Sequence, residues 1–280
     1  MLRWRIGDVR VTRVLEQRAP LPPQGLIPAA RPERIAAHRS WLAPHFVSEA
    51  GEIVLAIQAL VIESRGQRIV VDTCMGNDRE LPLGLGKLQT AFLVDLERDV
   101  CARERIDCVV CTHLHFDHVG WNTMLVDGRW VPTFPNARYL FGRREYEHWL
   151  RADDESRGAA DAVAPVVDAG LHALVESDHR ITDEVWLEPT PGHTPGHVSV
   201  RIASRGEEAV ITGDMVHHPV QLAEPHWGSA PDSDPEQAAR TRRDFAARYG
   251  DRAVLVIGTH FNDPVAGHIV RDGNSWRFAV

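Results

Sequence analysis

Apolar positions along this chain alternate between two periods, and the switches between them mark out its elements. Val9 and Val11 alternate with polar neighbours, the period-two pattern of an opening strand. Ile53 to Glu63 and Arg68 to Asp72 read as two further strands joined at Ser64-Arg65-Gly66-Gln67, a hairpin signal. The period then lengthens: Leu88, Phe92, Leu96 and Val100 recur every four residues, which predicts an amphipathic helix running into a buried strand around Val109 and Val110. Tyr139 to Phe141 predicts a short strand, followed by a helix through Trp149.

The second half repeats the scheme. Val185 to Leu187, Val198 to Ile202 and Ala209 to Thr212 have strand patterns. Asp234-Pro235-Glu236-Gln237 is a helix start, with an N-cap carboxylate, proline at the first helical position and Gln237 in the capping-box place. That helix is expected to reach about Tyr249 and stop at Gly250, before a strand from Ala253 to Ile257. Two similar β-then-α halves predict an α/β protein with two sheets face to face and helices outside. No linker divides the pattern, so residues 1–280 are expected to form one domain. The proline- and alanine-rich stretch within 20–50 has little periodicity. It reads as an irregular arm that wraps the domain or reaches toward a partner subunit, the latter implying a homodimer.

Composition narrows the partners. The chain has 44% apolar and 25% charged residues, ordinary for a globular protein. Lysine and arginine total 31 against 39 acidic residues, a net charge of −8 that disfavours nucleic acid as a partner. No stretch approaches a membrane span, and the N-terminal residues lack a signal peptide's apolar core, so a cytoplasmic location is expected. Cys108 and Cys111 form a C-x-x-C inside an apolar run. A strand would point them to opposite faces, so they are expected to be packed core thiols.

The chemistry concentrates in Thr112-His113-Leu114-His115-Phe116-Asp117-His118, directly after an apolar strand. Zinc takes nitrogen, sulfur and oxygen ligands at about 2.0–2.3 Å, and a turn crowded with imidazoles suits it. His113 and His115 can point one way from an extended end. Asp117 and His118 can face a second site once the chain turns. Later in the sequence His193 lies in Thr190-Pro191-Gly192-His193-Thr194-Pro195-Gly196-His197, while Asp214 and His260 each lie just past a predicted buried strand.

Together, His113-x-His115-x-Asp117-His118 and the later residues resemble the metallo-β-lactamase superfamily, over about Ile53 to His268. The resemblance implies a four-layer αβ/βα sandwich. It implies two divalent metal ions, zinc in the first place with iron or manganese as alternatives. His113, His115 and His193 would hold the first ion; Asp117, His118 and His260 the second; Asp214 would bridge them. It also implies a metal-bound hydroxide as nucleophile, with Asp117 holding its proton. Asp72 resembles the family's supporting aspartate, and His197 is expected just behind the ligands. His217, His218, Gln221, Trp227 and Phe261 are candidates to line the pocket. His38, His45, His148, His172, His179, His226 and His268 have no motif context and are expected to be structural or exposed.

Fold alone does not choose a substrate. The branch resembled includes N-acyl homoserine lactonases and methyl parathion hydrolase, which implies a small-molecule lactone or carboxylic ester as substrate. Phosphotriester hydrolysis is the alternative. An iron-dependent oxygenase of the persulfide dioxygenase type is a further one, in which a single iron would suffice.

Overall fold

Residues 1–151 and 160–280 are described by a computed structural model. The chain opens with β1 (Arg3–Ile6), β2 (Val9–Leu21), β3 (Ile53–Ser64), β4 (Gln67–Val71) and β5 (Cys108–Cys111). A separate hairpin, β6 (Thr123–Val126) and β7 (Arg129–Pro132), follows, then β8 (Arg138–Gly142) and β9 (His172–Val175). These strands make a sheet in the order β1-β2-β3-β4-β5-β8-β9. A second sheet runs in sequence order through β10 (Val185–Pro189), β11 (Val198–Ser204), β12 (Glu207–Ile211), β13 (Val254–Ile257), β14 (Ala266–Asp272) and β15 (Ser275–Ala279). Most pairings are antiparallel. The parallel ones, β4 with β5, β5 with β8, β8 with β9 and β12 with β13, lie inside the sheets or close the first one.

Strand alternation builds three apolar layers from these two sheets. Leu60, Ile62, Val71 and Val110 pack between the sheets against Leu187, Val200, Ile211 and Ile257. Val61, Val70, Val109 and Phe141 turn outward onto helices Phe92–Asp99 and Ala160–Asp168, through Phe92, Leu96, Val163 and Val166. On the far side Val210, Val254, Val256 and Phe278 meet Phe245 and Tyr249 of helix Pro235–Tyr249. The result is the expected αβ/βα sandwich. Each fully buried aliphatic or phenyl side chain in these layers contributes roughly 1.5–3 kcal/mol. Among the described residues no helix is long and apolar enough to cross a membrane.

Several elements differ from the sequence expectation, each for a local reason. The first amphipathic helix begins at Phe92 rather than Leu88. Its forerunner is held as loop by Asn77, whose side chain accepts from Thr90 N–H at 2.8 Å and donates to Thr90 O at 3.0 Å. The 20–50 segment is not wholly irregular. β2 continues to Leu21, and Pro23–Leu26, Pro32–Ala37 and Arg39–Leu42 are short helical turns. Ile27, Ile35, Leu42 and Phe46 from this segment are buried in the outer layer of the second sheet, so it wraps the domain. The last helix starts as expected, with the Asp234 carboxylate accepting from Gln237 N–H at 2.9 Å. It also stops at Gly250, but with φ −63° rather than a left-handed conformation. Here glycine is required by space, since a Cβ would stand 2.1 Å from the Trp276 ring.

In β5 the alternation sends Cys108 between the sheets and Cys111 to the helix side, and all four cysteines are free and buried. Burial pushes the Cys108 thiol up to about 12 and raises those of Cys74, Cys101 and Cys111 as well. A thiol reagent at pH 8 is therefore expected to leave the native protein unlabelled over minutes and to titrate every cysteine in denaturant. Prompt labelling of Cys108 or Cys111 in the native protein would contradict this packing.

Candidate metal centre

The centre forms where parallel strands of both sheets end. Asp72 directly follows β4, and His113 follows the next parallel strand, β5, by two residues. Across the sandwich, Asp214 lies just past β12 and His260 just past β13, the parallel pair of the second sheet. Carboxyl ends of parallel strands are rigid and converge on one mouth, the usual place for a site in such sheets. His193 arrives on the loop between β10 and β11. That loop needs Gly192, which sits at φ +133° and would place a Cβ 2.3 Å from Ala238 N.

Three imidazole nitrogens meet in a first set. His193 Nε2 is 3.2 Å from His113 Nε2 and 2.9 Å from His115 Nδ1, and those two are 3.0 Å apart. A second set brings His118 Nε2 to 3.2 Å from His260 Nε2, with Asp117 Oδ2 at 3.6 and 3.5 Å from the pair. Asp214 lies between the sets. Its Oδ2 is 3.1 Å from His118 Nε2, 3.6 Å from His193 Nε2 and 3.7 Å from His113 Nε2, while Oδ1 is 3.0 Å from His260 Nε2.

These residues fit divalent cations on two structural grounds. Three nitrogens in mutual contact cannot all be satisfied by hydrogen bonds among themselves. One ion holding nitrogens at about 2.0–2.1 Å would bring them to roughly this spacing. Asp214 Oδ1, moreover, is buried and makes no well-aligned hydrogen bond, although His260 Nε2 stands 3.0 Å away. His113-His115-His193 and Asp117-His118-Asp214-His260 each gather donor atoms closely enough to hold an ion, as do His193-Asp214-His217.

The charge distribution differs between the sets. Burial drives His113 and His193 well below the ordinary imidazole range and takes His115 down to about 4, so the first set is neutral near pH 7. Burial acts the same way on His118 and His260, but Asp214 and Asp117, with Asp72 added for His118, outweigh it and raise both. Burial likewise opposes ionisation of Asp214, yet His118, His260 and His217 hold its carboxyl well below the usual range. The negative potential that retains protons on the second set would equally attract a cation, which must displace them.

The far nitrogens of the rings are tethered. His118 Nδ1 meets Asp72 Oδ2 at 2.9 Å, and His260 Nδ1 meets Ala56 O at 3.0 Å. His113 Nδ1 faces Thr112 Oγ1 at 3.1 Å, and Asp232 Oδ1 lies 3.1 Å from His193 Nδ1. His197 stands just behind Asp214, whose N–H donates to His197 Nε2 at 2.8 Å. Gln221 accepts from the backbone N–H groups of His217 and His218 at 2.8 and 3.3 Å. Of the other pocket candidates, His217 reaches the centre and His218 does not, since its Nε2 bonds Phe46 O. Trp227 packs against His38 and Arg34, and Phe261 against Phe46 and Phe278. Both belong to the outer apolar layer instead of the mouth.

A sandwich of two mixed sheets, with an imidazole and carboxylate cluster at the carboxyl ends of its inner strands, defines the class. The model of the Metallo-beta-lactamase superfamily matches residues 53–274, most of the chain, and the chain belongs to that superfamily. The N-acyl homoserine lactonase AiiA of Bacillus thuringiensis subsp. kurstaki is 29% identical over 103 residues, 37% of this chain and 35% of that protein. The "Probable metallo-hydrolase YflN" of Bacillus subtilis (strain 168) is 32% identical over 125 residues, 39% of this chain and 46% of that protein. The chain thus spans about a third to a half of the length of these curated relatives. Among solved structures, a hydrolase AbOPH of the β-lactamase superfamily superposes with a TM-score of 0.80 at 24% identity, covering 99% of this chain and 95% of that one. AidC, a dizinc quorum-quenching lactonase in complex with a product, N-hexanoyl-L-homoserine, gives 0.79 at 19% identity, covering 99% and 96%.

Some residues of the centre carry no sequence signal. Asp232 is one. Glu145 is another: its buried carboxylate accepts from Leu114 N–H at 3.2 Å and Gly196 N–H at 3.1 Å, tying both histidine loops together. Gln58 donates to the carbonyls of Gly258, Thr259 and Phe261 at 3.0–3.2 Å and so binds the His260 loop to the first sheet. The capping-like pair of Asp72 and Thr112 is tighter still. Asp72 accepts from Thr112 N–H at 2.8 Å and Thr112 Oγ1 at 2.9 Å besides meeting His118, all at φ +57°. Asp72→Ala would orphan those groups and strain a left-handed position, so it is expected to lower the stability of metal-free protein by about 2–4 kcal/mol in urea unfolding. Asp72→Asn, which tolerates the backbone and keeps one acceptor oxygen for Thr112 N–H, should cost clearly less. Equal losses would show that the hydrogen bonds and the backbone conformation do not govern the effect.

Proposed function

We propose that this chain is a metal-dependent hydrolase that uses two divalent ions, zinc in the first place, to cleave a lactone or carboxylic ester. The observation that carries the reading is the position of Asp214, one carboxylate with an oxygen near each imidazole set. His113, His115 and His193 would hold one ion, Asp117, His118 and His260 the other, and Asp214 both. A nitrogen-rich donor set without thiolates suits zinc, and accepts iron or manganese. When bound, such ions acidify a water and polarise the substrate's carbonyl oxygen.

The chain's own residues then position and move protons. Asp117 is the most open of the carboxylates here, its side chain 17% exposed against 3% for Asp214, so it stands on the substrate side. The carboxylate oxygen it does not turn toward His118 and His260 can take a proton from the attacking water and return it to the departing alkoxide oxygen. Water adds to the acyl carbon, the acyl C–O bond breaks, and in a lactone both products remain one hydroxy acid. Burial of the other imidazoles leaves the side of Asp117 and His115 as the open one.

Support for the lactone comes from AidC, whose fold this chain shares, and from the local similarity to AiiA. A persulfide dioxygenase-type reaction with a single iron would leave Asp117, His118 and His260 without a task. The test is a panel of lactones, aryl esters and phosphotriesters with zinc-loaded protein, with metal counted by elemental analysis. Two zinc per chain and turnover of lactone or ester are expected; preferential phosphotriester turnover, or one iron per chain, would replace the reading. His113→Ala and His193→Ala should lower turnover by about two orders of magnitude or more. The exposed His268→Ala serves as the control and should leave turnover unchanged.

A further inference from the structure

We propose that His217 is a further metal ligand, an imidazole that closes the centre on the side of His193 and Asp214; this rests on the two-ion reading above. His217 is buried, and its Nε2 lies 3.1 Å from Asp214 Oδ2. It forms, with His193 and Asp214, a donor group of its own that could hold a cation. Its ring lies 4.9 Å from that of His193 and parallel to that of His260, 5.7 Å away, so it stands beside both sets.

The far side of the ring makes the distinction. A metal-binding histidine has one nitrogen tied to an outer partner and the other free for the ion. His118, His193 and His260 have this form, and His217 does too, its Nδ1 lying 2.9 Å from Ser229 Oγ. His197 and His218 do not, because both their nitrogens are engaged within the protein. His197 binds Thr190 and Asp214 N–H; His218 binds Phe46 O and Val220 N–H.

Proton bookkeeping around Ser229 allows the ligating form. Gln221 Oε1 accepts from the His217 and His218 N–H groups, which fixes the amide, so its Nε2 donates to Trp227 O at 2.9 Å and to Ser229 Oγ at 3.0 Å. Ser229 Oγ keeps a lone pair for His217 Nδ1–H, and that tautomer leaves Nε2 unprotonated toward Asp214. One short loop serves both rings, since Ser229 N–H donates to Asp232 Oδ2 at 2.9 Å and Asp232 in turn holds His193. Gln221 and Ser229 thus act on the centre through His217.

The competing role is a hydrogen bond alone, with His217 Nε2–H donating to Asp214. His217→Gln separates the two, because the amide can still donate to Asp214 but supplies no imidazole. The full chain and its His217→Ala and His217→Gln variants are loaded with Co2+ and compared by visible absorption and by the hyperfine-shifted, exchangeable ring N–H signals in proton NMR. Zn2+ affinity is measured by chelator competition. Ligation predicts the loss of one shifted N–H signal, an altered visible spectrum and about tenfold or greater weakening of one ion in both variants. A glutamine variant with parental affinity, spectrum and signal count would overturn the proposal while leaving the two-ion reading intact. A parent chain that takes up fewer than two Co2+ would overturn both.

Discussion

Asp214 is 2% exposed at the junction of two sheets, and a carboxylate is tolerated there only if positive charge or donors surround it. The surrounding groups come from every part of the chain: His113 and His118 after β5, His193 from the next sheet's first loop, His217 after β12 itself, and His260 after β13. None of these imidazoles can be placed without both sheets being in register. The centre is therefore a consequence of how the sandwich closes, and its geometry is only as precise as the strand ends that carry it. Parallel pairs at β4/β5 and β12/β13, flanked by further strands, make those ends rigid.

The seven motif positions were legible because their chemistry is dense and their spacing local. His113 to His118 is a cluster in six residues, and Asp214 and His260 follow apolar runs that read as strands. The tethers were not legible, for a physical reason. Asp232, Glu145 and Gln58 act on loops distant in sequence, and Ser229 on His217, through a few hydrogen bonds that leave no periodicity. Glu16 is the extreme case. A register shift between Leu15 and Gln17 accompanies its carboxylate's contacts to Trp121 Nε1 at 2.7 Å and Met75 N–H at 2.9 Å, and burial raises its pKa. Alternation along β2 cannot announce a residue that breaks it.

The arm shows the opposite failure. Proline and alanine gave no periodic signal, although the segment contains three helical turns and buries Ile27, Ile35, Leu42 and Phe46. Turns this short have no amphipathic period to read, and tertiary burial rather than propensity stabilises them. The same burial accounts for Trp227 and Phe261, which the chain places close to the candidate ligands in sequence but turns outward to meet the arm. Adjacency in sequence to a candidate ligand therefore says little where the chain turns nearby side chains toward a different layer.

Closing the sandwich around Asp214 would also couple a bound ion to the fold. With ligands drawn from both sheets, a bound ion would cross-link them, and any ion held by the native chain but not by the unfolded one adds RT ln(1 + [M]/Kd), about 2.7 kcal/mol at a hundredfold excess over Kd. In the metal-free chain the second set manages the same charge differently, keeping protons on His118 and His260 against three carboxylates. Proton and cation thus compete for one potential. The first set, held neutral by burial, pays no such exchange, so its affinity should depend less on pH than that of the second. The asymmetry follows from where the carboxylates lie: Asp72 and Asp117 both face the second set, whereas Asp232, behind His193, is already engaged by Arg242 and Ser229.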